Sequence, residues 1–340
     1  MAKLRIGVLY DFWWDDGGKH AGDARPPRKN ADEDVQEVYE ALKRAGHNPV
    51  YLRLDGTPQS LVELATSESD LIFNLVESFG GDDRRDTNIA AYLELLGRKF
   101  TGAGASGLYL AQDKALAKKI FAFHGIHTPY FATAYRGRTD HSHDIQFPVI
   151  VKPGREDGSI GIEFGAVCGS IKELMERIDY IHNQFDSPAL IEEFIEGREF
   201  YVAVLGNDKP EALPIVEMDL SKLPKGTPKI AGTEVKWEED TEAYKKTKAF
   251  LPDDLDDELE GRLKSVAIQA FQTLQLRDYG RIDFRLALDG TLHVLEVNPN
   301  PYLLPSAEFC MAARQAGRSF PQLIDRIVEV AMARYTNGNS

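Results

Sequence analysis

Apolar and β-branched residues fall into short runs at 4–10, 49–54 and 70–76, with helically spaced segments between them at about 31–45 and 59–66. This alternation predicts β-α-β units built on a parallel sheet. A third helical segment, 87–96, stops at Gly97 and leads into Phe100-Thr101-Gly102-Ala103-Gly104, so residues 1–105 are expected to form a small α/β domain. Its glycines do not make GxGxxG, and the Gly102/Gly104 pair reads as turn chemistry. One long helical pattern then covers 105–124 and carries Asp113, Lys114, Lys118 and Lys119. After a break at Gly125/Pro129 come a strand at 146–152, a polar glycine loop at 154–161, a short strand at 163–167, a helix at 170–184, and strands at 189–195 and 199–205. That order is α+β, and 106–190 is taken as a central unit and 191–336 as a C-terminal one. Within the latter, 218–254 is rich in Lys, Glu, Asp and Pro without periodicity, as a lid or a solvated insertion would be. A helix at 253–276, a hairpin at 279–298 and an amphipathic helix at 320–335 complete the chain.

The hairpin is the most informative segment. Asp289-Gly290 lies between two alternating runs and predicts a two-residue turn. Leu288 then pairs with Thr291, Asp283 faces Glu296, and Arg281 faces Asn298. All four groups project from one face, while Ile282, Phe284, Leu286, Leu295 and Val297 take the apolar one. Two directly opposed carboxylates repel unless something neutralises them. An oxygen-rich set of this kind suits Mg²⁺, with Asn298 as a neutral ligand. A solvated face compensated by Arg281 and Arg285 is the alternative. Lys152 ends the 149–152 strand just before the glycine loop, whose backbone could approach phosphates closely, although it is not a GxxxxGK[ST] loop. Lys114 and Lys236, taken singly, read as ordinary surface lysines.

Composition narrows the classes. The 340 residues hold 40 Lys+Arg against 54 Asp+Glu, a net charge of −14. Such a chain repels polyphosphate backbones at long range, and no basic stripe offsets this, so nucleic acid is not an expected partner. Cys168 and Cys310 have no CxxC spacing and predict neither a disulfide framework nor a zinc site. The apolar run at 6–10 is too short for a signal-peptide core and no run reaches membrane-span length. A reducing, cytoplasmic setting without a membrane is expected.

Six stretches, in order, resemble the ATP-grasp superfamily and within it the D-alanine–D-alanine ligases. They are Tyr92-Leu-Glu-Leu-Leu-Gly-Arg-Lys-Phe-Thr-Gly, Gln112-Asp-Lys-Ala-Leu-Ala-Lys-Lys, Val151-Lys-Pro with Gly158-Ser-Ile-Gly-Ile, Ile191-Glu-Glu-Phe-Ile-Glu-Gly-Arg-Glu-Phe, Gly280-Arg-Ile-Asp-Phe with Leu295-Glu-Val-Asn-Pro, and Met311-Ala-Ala-Arg-Gln-Ala-Gly. The resemblance implies an ATP-grasp fold behind an N-terminal Rossmann-like domain, with ATP between the two later units. It implies that Lys114 and Lys152 contact ATP phosphates, that Ser159 donates its backbone N–H, and that Glu192 with the backbone of Glu193, Phe194 and Ile195 reads adenine. Glu199 would accept from the ribose hydroxyls, and Lys236 would reach the γ-phosphate from the lid. Asp283, Glu296 and Asn298 match the ligands of Mg²⁺ (or Mn²⁺), and Arg281 the arginine that steadies the tetrahedral intermediate.

The activity so implied is ATP-dependent joining of a carboxylate to an amine, with amino-acid-like small molecules as substrates, through an acyl phosphate. Authentic D-alanine–D-alanine ligation and a non-catalytic nucleotide-binding module are the alternatives, and a homodimer through the N-terminal region is usual for such enzymes. The departures concern the substrates. The family's N-terminal Glu-Val-Ser is absent, Asp34-Val35-Gln36 being only loosely similar. Gly158 stands for a serine and Trp237 for a lid tyrosine. Tyr302 falls at the oxyanion-hole glycine, and Ala307 at a carboxylate-binding serine for which Ser306 could substitute. Arg84 and Arg85 lie near a position that is acidic in the family's substrate pocket.

Overall fold

The computed structural model describes residues 3–11, 33–141, 146–156, 159–236, 238 and 240–336. Its first sheet is parallel, in the order β2-β1-β3, from β1 (Arg5–Asp11), β2 (Asn48–Leu54) and β3 (Leu71–Asn74). The helices α1 (Glu33–Arg44), α2 (Pro58–Thr66) and α3 (Asp86–Leu95) belong to this unit. All four residues of β3 are buried, as expected of a parallel strand covered on both faces.

The pattern at 105–124 resolves into two helices, α4 (Ala105–Gln112) and α5 (Lys114–Phe123). Asp113 leaves the helical conformation (φ −80°, ψ 88°) and its carboxylate accepts the Leu116 N–H. An aspartate is a strong N-cap, so local capping here overrides a continuous apolar periodicity. The break starts α5 at Lys114.

The second sheet is antiparallel, in the order β5-β4-β8-β6-β7, from β4 (Phe131–Tyr135), β5 (Arg138–His141), β6 (Val149–Pro153), β7 (Val167–Cys168) and β8 (Ala189–Glu193), with α6 (Ile171–Phe185) on it. The β4–β5 hairpin is absent from the sequence reading. The strand expected at 163–167 is instead a 3₁₀ turn, Phe164–Ala166, followed by the two-residue β7.

The third sheet runs β12-β11-β9-β13-β14, with β10 beside β9. Its strands are β9 (Gly197–Leu205), β10 (Glu211–Ala212), β11 (Val216–Met218), β12 (Ala249–Phe250), β13 (Tyr279–Ala287) and β14 (Leu292–Pro299). Phe200, Val202, Val204, Ile282, Phe284, Val294 and Val297 cover one face and pack on Leu263, Ala267, Ala270 and Phe271 of the helix Asp257–Thr273. Ala117 and Phe121 of α5 join the same core. Burial of this face turns the alternate residues of β9, β13 and β14 to the opposite face, where Tyr201, Ala203, Leu205 and Tyr279 join another core and the charged residues gather.

Two short helices, α7 (Thr233–Lys236) and α8 (Glu242–Lys246), lie in the 218–254 segment, which also buries Leu220, Leu223, Ile230, Ala231, Val235 and Ala243. The long helix Asp257–Thr273 is α9, and α10 (Glu308–Gln315) and α11 (Phe320–Thr336) close the chain. Val35, Val38 and Leu42 of α1 share a core with Ile324, Ile327 and Val328 of α11, which joins the first unit to the third. Beside it, buried Asp278 accepts from Arg334 Nη2 at 3.0 Å, Asn207 Nδ2 at 3.0 Å and the Gly102 N–H at 2.8 Å.

Candidate active site

The β13–β14 ladder pairs Asp283 with Glu296 and Arg281 with Asn298, as the sequence predicts. The turn differs: Ala287 N–H donates to Thr291 O, and Leu288, Asp289 and Gly290 (φ +84°) form a three-residue loop. Beyond Asp283 the register slips by one, Phe284 facing Val294, so Leu295 is an extra residue and is half-buried rather than part of the core. On the adjoining strand, Tyr201 pairs with Asp283 and Glu199 with Arg285. One face therefore gathers Glu199, Tyr201, Arg281, Asp283, Arg285, Glu296 and Asn298.

Arg281 holds Asp283 in a bidentate pair, Nε to Oδ1 at 2.8 Å and Nη2 to Oδ2 at 2.9 Å. Its Nη1 reaches Glu308 Oε2 at 3.3 Å, and its guanidinium lies 4.9 Å from the centre of the Tyr201 ring. Burial is the main cause that pushes Asp283 up to about 6; Arg281 opposes it and Glu296 adds to it. Glu296 is the reverse case. Burial works against its ionisation, but Lys114, Lys236, Lys152 and Arg281 together hold it down at about 2. Lys114 Nζ is 3.6 Å from Glu296 Oε2 and donates to Glu156 O at 2.8 Å. The two opposed carboxylates thus have opposite tendencies, set by which cations each faces.

Glu192 is fully buried between two lysines, with Lys152 Nζ 2.7 Å from Oε2 and Lys118 Nζ 2.6 Å from Oε1. Burial favours its protonated form, yet the two ammonium groups hold it below the usual carboxylate range. Lys118 also donates to Thr128 Oγ1 at 2.6 Å and Leu295 O at 3.3 Å, which ties α5 to the bulge of β14. One carboxylate shared by two lysines leaves Lys118 under-compensated, and burial lowers it from its ordinary value. The Glu193 N–H is taken by Tyr130 O and the Phe194 N–H by Pro148 O. Phe194 and Ile195 border an open cleft of about 440 Å³ that also meets Pro148, Glu196 and residues 287–289 of the hairpin turn. Glu199 accepts from Arg285 Nη2 at 2.6 Å and from Tyr201 Oη at 2.7 Å.

The 218–254 segment is docked onto the glycine loop. Thr233 N–H donates to Ile162 O at 2.8 Å and Thr233 Oγ1 to Ser159 O at 3.0 Å, while Ser159 Oγ donates to Ala231 O at 3.2 Å. Glu234 Oε1 accepts the Phe164 N–H at 2.8 Å. Lys236, from the same segment, lies with Nζ 5.9 Å from the Tyr201 ring centre. Gly158 and Trp237, the two departures expected at this contact, lie outside the described residues.

The expected substrate residues are less closely joined to this centre. Arg85 is exposed and pairs with Asp82 at 3.2 Å, as Arg84 does at 2.9 Å; Tyr302 and Ser306 are exposed. Tyr201, Thr233, Glu234 and Glu308 escape the sequence reading, and Lys118 and Arg285 enter it without a place in this site. Only Arg285 carried a signal, its place on the polar face of the hairpin. For a divalent cation the donor chemistry of Asp283, Glu296 and Asn298 fits: two opposed carboxylates and an amide carbonyl offer oxygen ligands, and a cation would take over from Arg281 the neutralisation of Asp283, both of whose oxygens accept from that guanidinium here.

Comparisons with known proteins bear on the family and the fold. A family model described as D-ala D-ala ligase C-terminus matches residues 121–329. The D-alanine–D-alanine ligase of Desulforamulus reducens is 30% identical over 339 residues, covering 97% of this chain and 99% of its own. That of Marinomonas sp. is 32% identical over 304 residues, 86% of this chain and 88% of its own. Protein y4sG of Sinorhizobium fredii is 35% identical over 308 residues, 88% of each. The solved D-alanine–D-alanine ligase of Bacillus anthracis complexed with ATP superposes with a TM-score of 0.74 at 21% identity, over 98% of this chain and 99% of that one, which is the ATP-grasp fold.

Proposed function

This chain belongs to the D-alanine–D-alanine ligase family, and from that premise we propose that it phosphorylates a carboxylate with ATP and passes the acyl group to an amine. It is an ATP-grasp ligase that forms a C–N bond. In our reading the nucleotide lies between the second and third sheets, with its phosphates at Lys114, Lys152, Lys236 and the Ser159 loop, its adenine against residues 192–195 and its ribose at Glu199. The substrate carboxylate oxygen attacks the γ-phosphorus and ADP leaves. The amine nitrogen then attacks the acyl carbon, the C–O bond to phosphate breaks, the excess proton leaves the nitrogen, and phosphate is released. Lysines around the γ-phosphate spread its charge, and Arg281 has N–H groups to offer an oxyanion at the acyl carbon. Asp283, Glu296 and Asn298 would hold Mg²⁺ (or Mn²⁺), which would supply further charge neutralisation at the phosphates. The docked 231–234 segment would keep water from the acyl phosphate.

The observation that carries the reading is the pair Asp283/Glu296 on one hairpin, with Arg281 on the first and Lys114 on the second. We read the enzyme as cytoplasmic, acting on amino-acid-like small molecules, and as a homodimer. The test is amino-acid-dependent ADP release, screened over L- and D-amino acids and dipeptides. Turnover with some of them is expected, and its loss in Asp283→Asn; activity untouched by that change would remove the metal assignment. Authentic D-alanine–D-alanine ligation is a second reading, favoured by the relatives, and predicts ADP release with D-alanine alone.

A further inference from the structure

The polar face of the hairpin carries one cation that the ligase chemistry above does not use. Arg285 pairs across the ladder with Glu199, and its buried guanidinium donates from Nη2 to Glu199 Oε2 at 2.6 Å. From Nη1 it donates to two carbonyls, Gly197 O at 3.2 Å and Lys229 O at 3.0 Å. The cations that chiefly act on Asp283 and Glu296 are Arg281, Lys114, Lys236 and Lys152, so Arg285 serves another purpose. Its acceptors come from two parts of the chain: Gly197 and Glu199 start β9, whereas Lys229 belongs to the 218–254 segment. A planar guanidinium fixes the positions of its acceptors relative to one another, which a point charge does not do.

Lys229 stands where that segment becomes docked. The next residue, Ile230, is buried with Ile150 of β6 and Ala166, and Phe194 at the edge of the 440 Å³ cleft packs on the same cluster. Thr233 and Glu234 follow with their bonds to the glycine loop, and Lys236 after them. Glu199 is held from its other side by Tyr201 Oη at 2.7 Å. Each carboxylate oxygen accepts two hydrogen bonds, so these two contacts orient Glu199 and still leave it able to accept from hydroxyl groups. One guanidinium thus holds both the carboxylate read above as the ribose acceptor and the first residue of the docked stretch.

We propose, on the basis of the ligase reading above, that Arg285 is a positioning residue that couples recognition of the ribose at Glu199 to docking of residues 229–236. Ribose hydroxyls that donate to Glu199 hold the carboxylate in place, the carboxylate holds the guanidinium, and the guanidinium holds Lys229 O. The segment that brings Lys236 therefore docks more firmly over a nucleotide with its ribose hydroxyls than over one without them. No bond is made or broken by Arg285. The coupling is reciprocal, so a docked segment also tightens the grip on the ribose.

The experiment uses the full chain with Mg²⁺ and either ATP or 2′,3′-dideoxy-ATP, each at a saturating concentration set by calorimetry. The rate of tryptic cleavage after the exposed Lys229 is read by mass spectrometry, since proteolysis of a docked segment follows the population of its open form. In the wild type ATP should slow this cleavage at least about threefold more than the dideoxy nucleotide does. In Arg285→Met the cleavage without nucleotide should rise about tenfold, the loss of one hydrogen bond from a charged donor, and the two nucleotides should protect equally. That change leaves Glu199 buried without its cation, so Arg285→Lys is measured beside it. The lysine keeps a cation at Glu199 and loses the fork to Lys229 O; it should still bind ATP more tightly than the dideoxy nucleotide, but without the extra protection. Equal protection by both nucleotides in the wild type, or extra protection by ATP that survives in either variant, would overturn the proposal. Neither result touches the ligase reading, which stands on amino-acid-dependent ADP release. A wild type that binds neither nucleotide would overturn both.

Discussion

Replacing Glu192 with glutamine isolates the energetic role of the buried carboxylate between two lysines. The change keeps size and shape but strips the carboxylate that lies 2.6 Å from Lys118 Nζ and 2.7 Å from Lys152 Nζ. Lys118 is 1% exposed, so its ammonium cannot regain water. Removing one partner of a buried ion pair costs about 3–5 kcal/mol, and we expect that loss at pH 7 in urea denaturation. The pH dependence gives a second signature. In the wild type, lysine contacts hold Glu192 below its ordinary value, so its contribution is present above the unfolded carboxylate range and is lost as pH falls through the lowered native value. Glu192→Gln lacks that acid limb. Its Lys118, already lowered by burial, is lowered further, so the unfolded chain binds more protons than the native one and stability rises with pH toward the ordinary lysine range. Adding Lys118→Met to the variant removes the unpaired charge and should recover about 0.5–3 kcal/mol. A single variant within about 1 kcal/mol of wild type at pH 7, with an unaltered pH slope, would refute this account of the cluster.

Asp283, raised to about 6, contributes fully to stability below its unfolded value and loses that contribution as pH rises through 6; Mg²⁺ alone should therefore raise the unfolding temperature more at pH 7.5 than at pH 5, and an equal shift at both would contradict it. A Cβ on Gly232 would lie 2.4 Å from Ile162 O, so Gly232→Ala should undock the 231–234 segment and raise the ratio of ADP to amide product without touching a reacting group. Thr233→Val removes one docking bond to Ser159 O and should raise that ratio less. Asp278→Asn leaves Arg334 unpaired beneath the first sheet and should cost about 3–5 kcal/mol in denaturant unfolding.

Elements with a strong local pattern were readable from the chain alone: the β-α-β start, the helix at 170–184 and the hairpin strands. The β4–β5 hairpin was not, because Phe131-Ala-Thr-Ala-Tyr has small residues at its inward positions and gains its burial only when β4 pairs with β8. Site residues divided along the same line. Asp283, Glu296 and Asn298 share one face of the hairpin, which the alternation along the two strands suggests. Lys118 and Glu308 act through partners far away in sequence, Leu295 O and Arg281, and in isolation each is an ordinary residue of a helix.

The opposition of Asp283 and Glu296 shows how a correct register can rest on an incomplete reason. A two-residue Asp289-Gly290 turn puts the two carboxylates opposite each other directly. The three-residue loop that forms instead, with Gly290 in the left-handed region, would by itself set Asp283 against Leu295. The extra residue at Leu295 restores the pairing. That bulge lies on an edge strand, and its neighbours are bonded from outside the sheet: Val294 N–H to His127 O at 2.8 Å, Val294 O from Thr128 Oγ1 at 2.9 Å, and Leu295 O from Lys118 at 3.3 Å. The same lysine that balances Glu192 thus fixes the irregularity that brings Glu296 to Asp283. The Glu192 end and the Asp283/Glu296 end of the site are coupled through one buried ammonium, and this coupling belongs to the tertiary structure rather than to any local pattern.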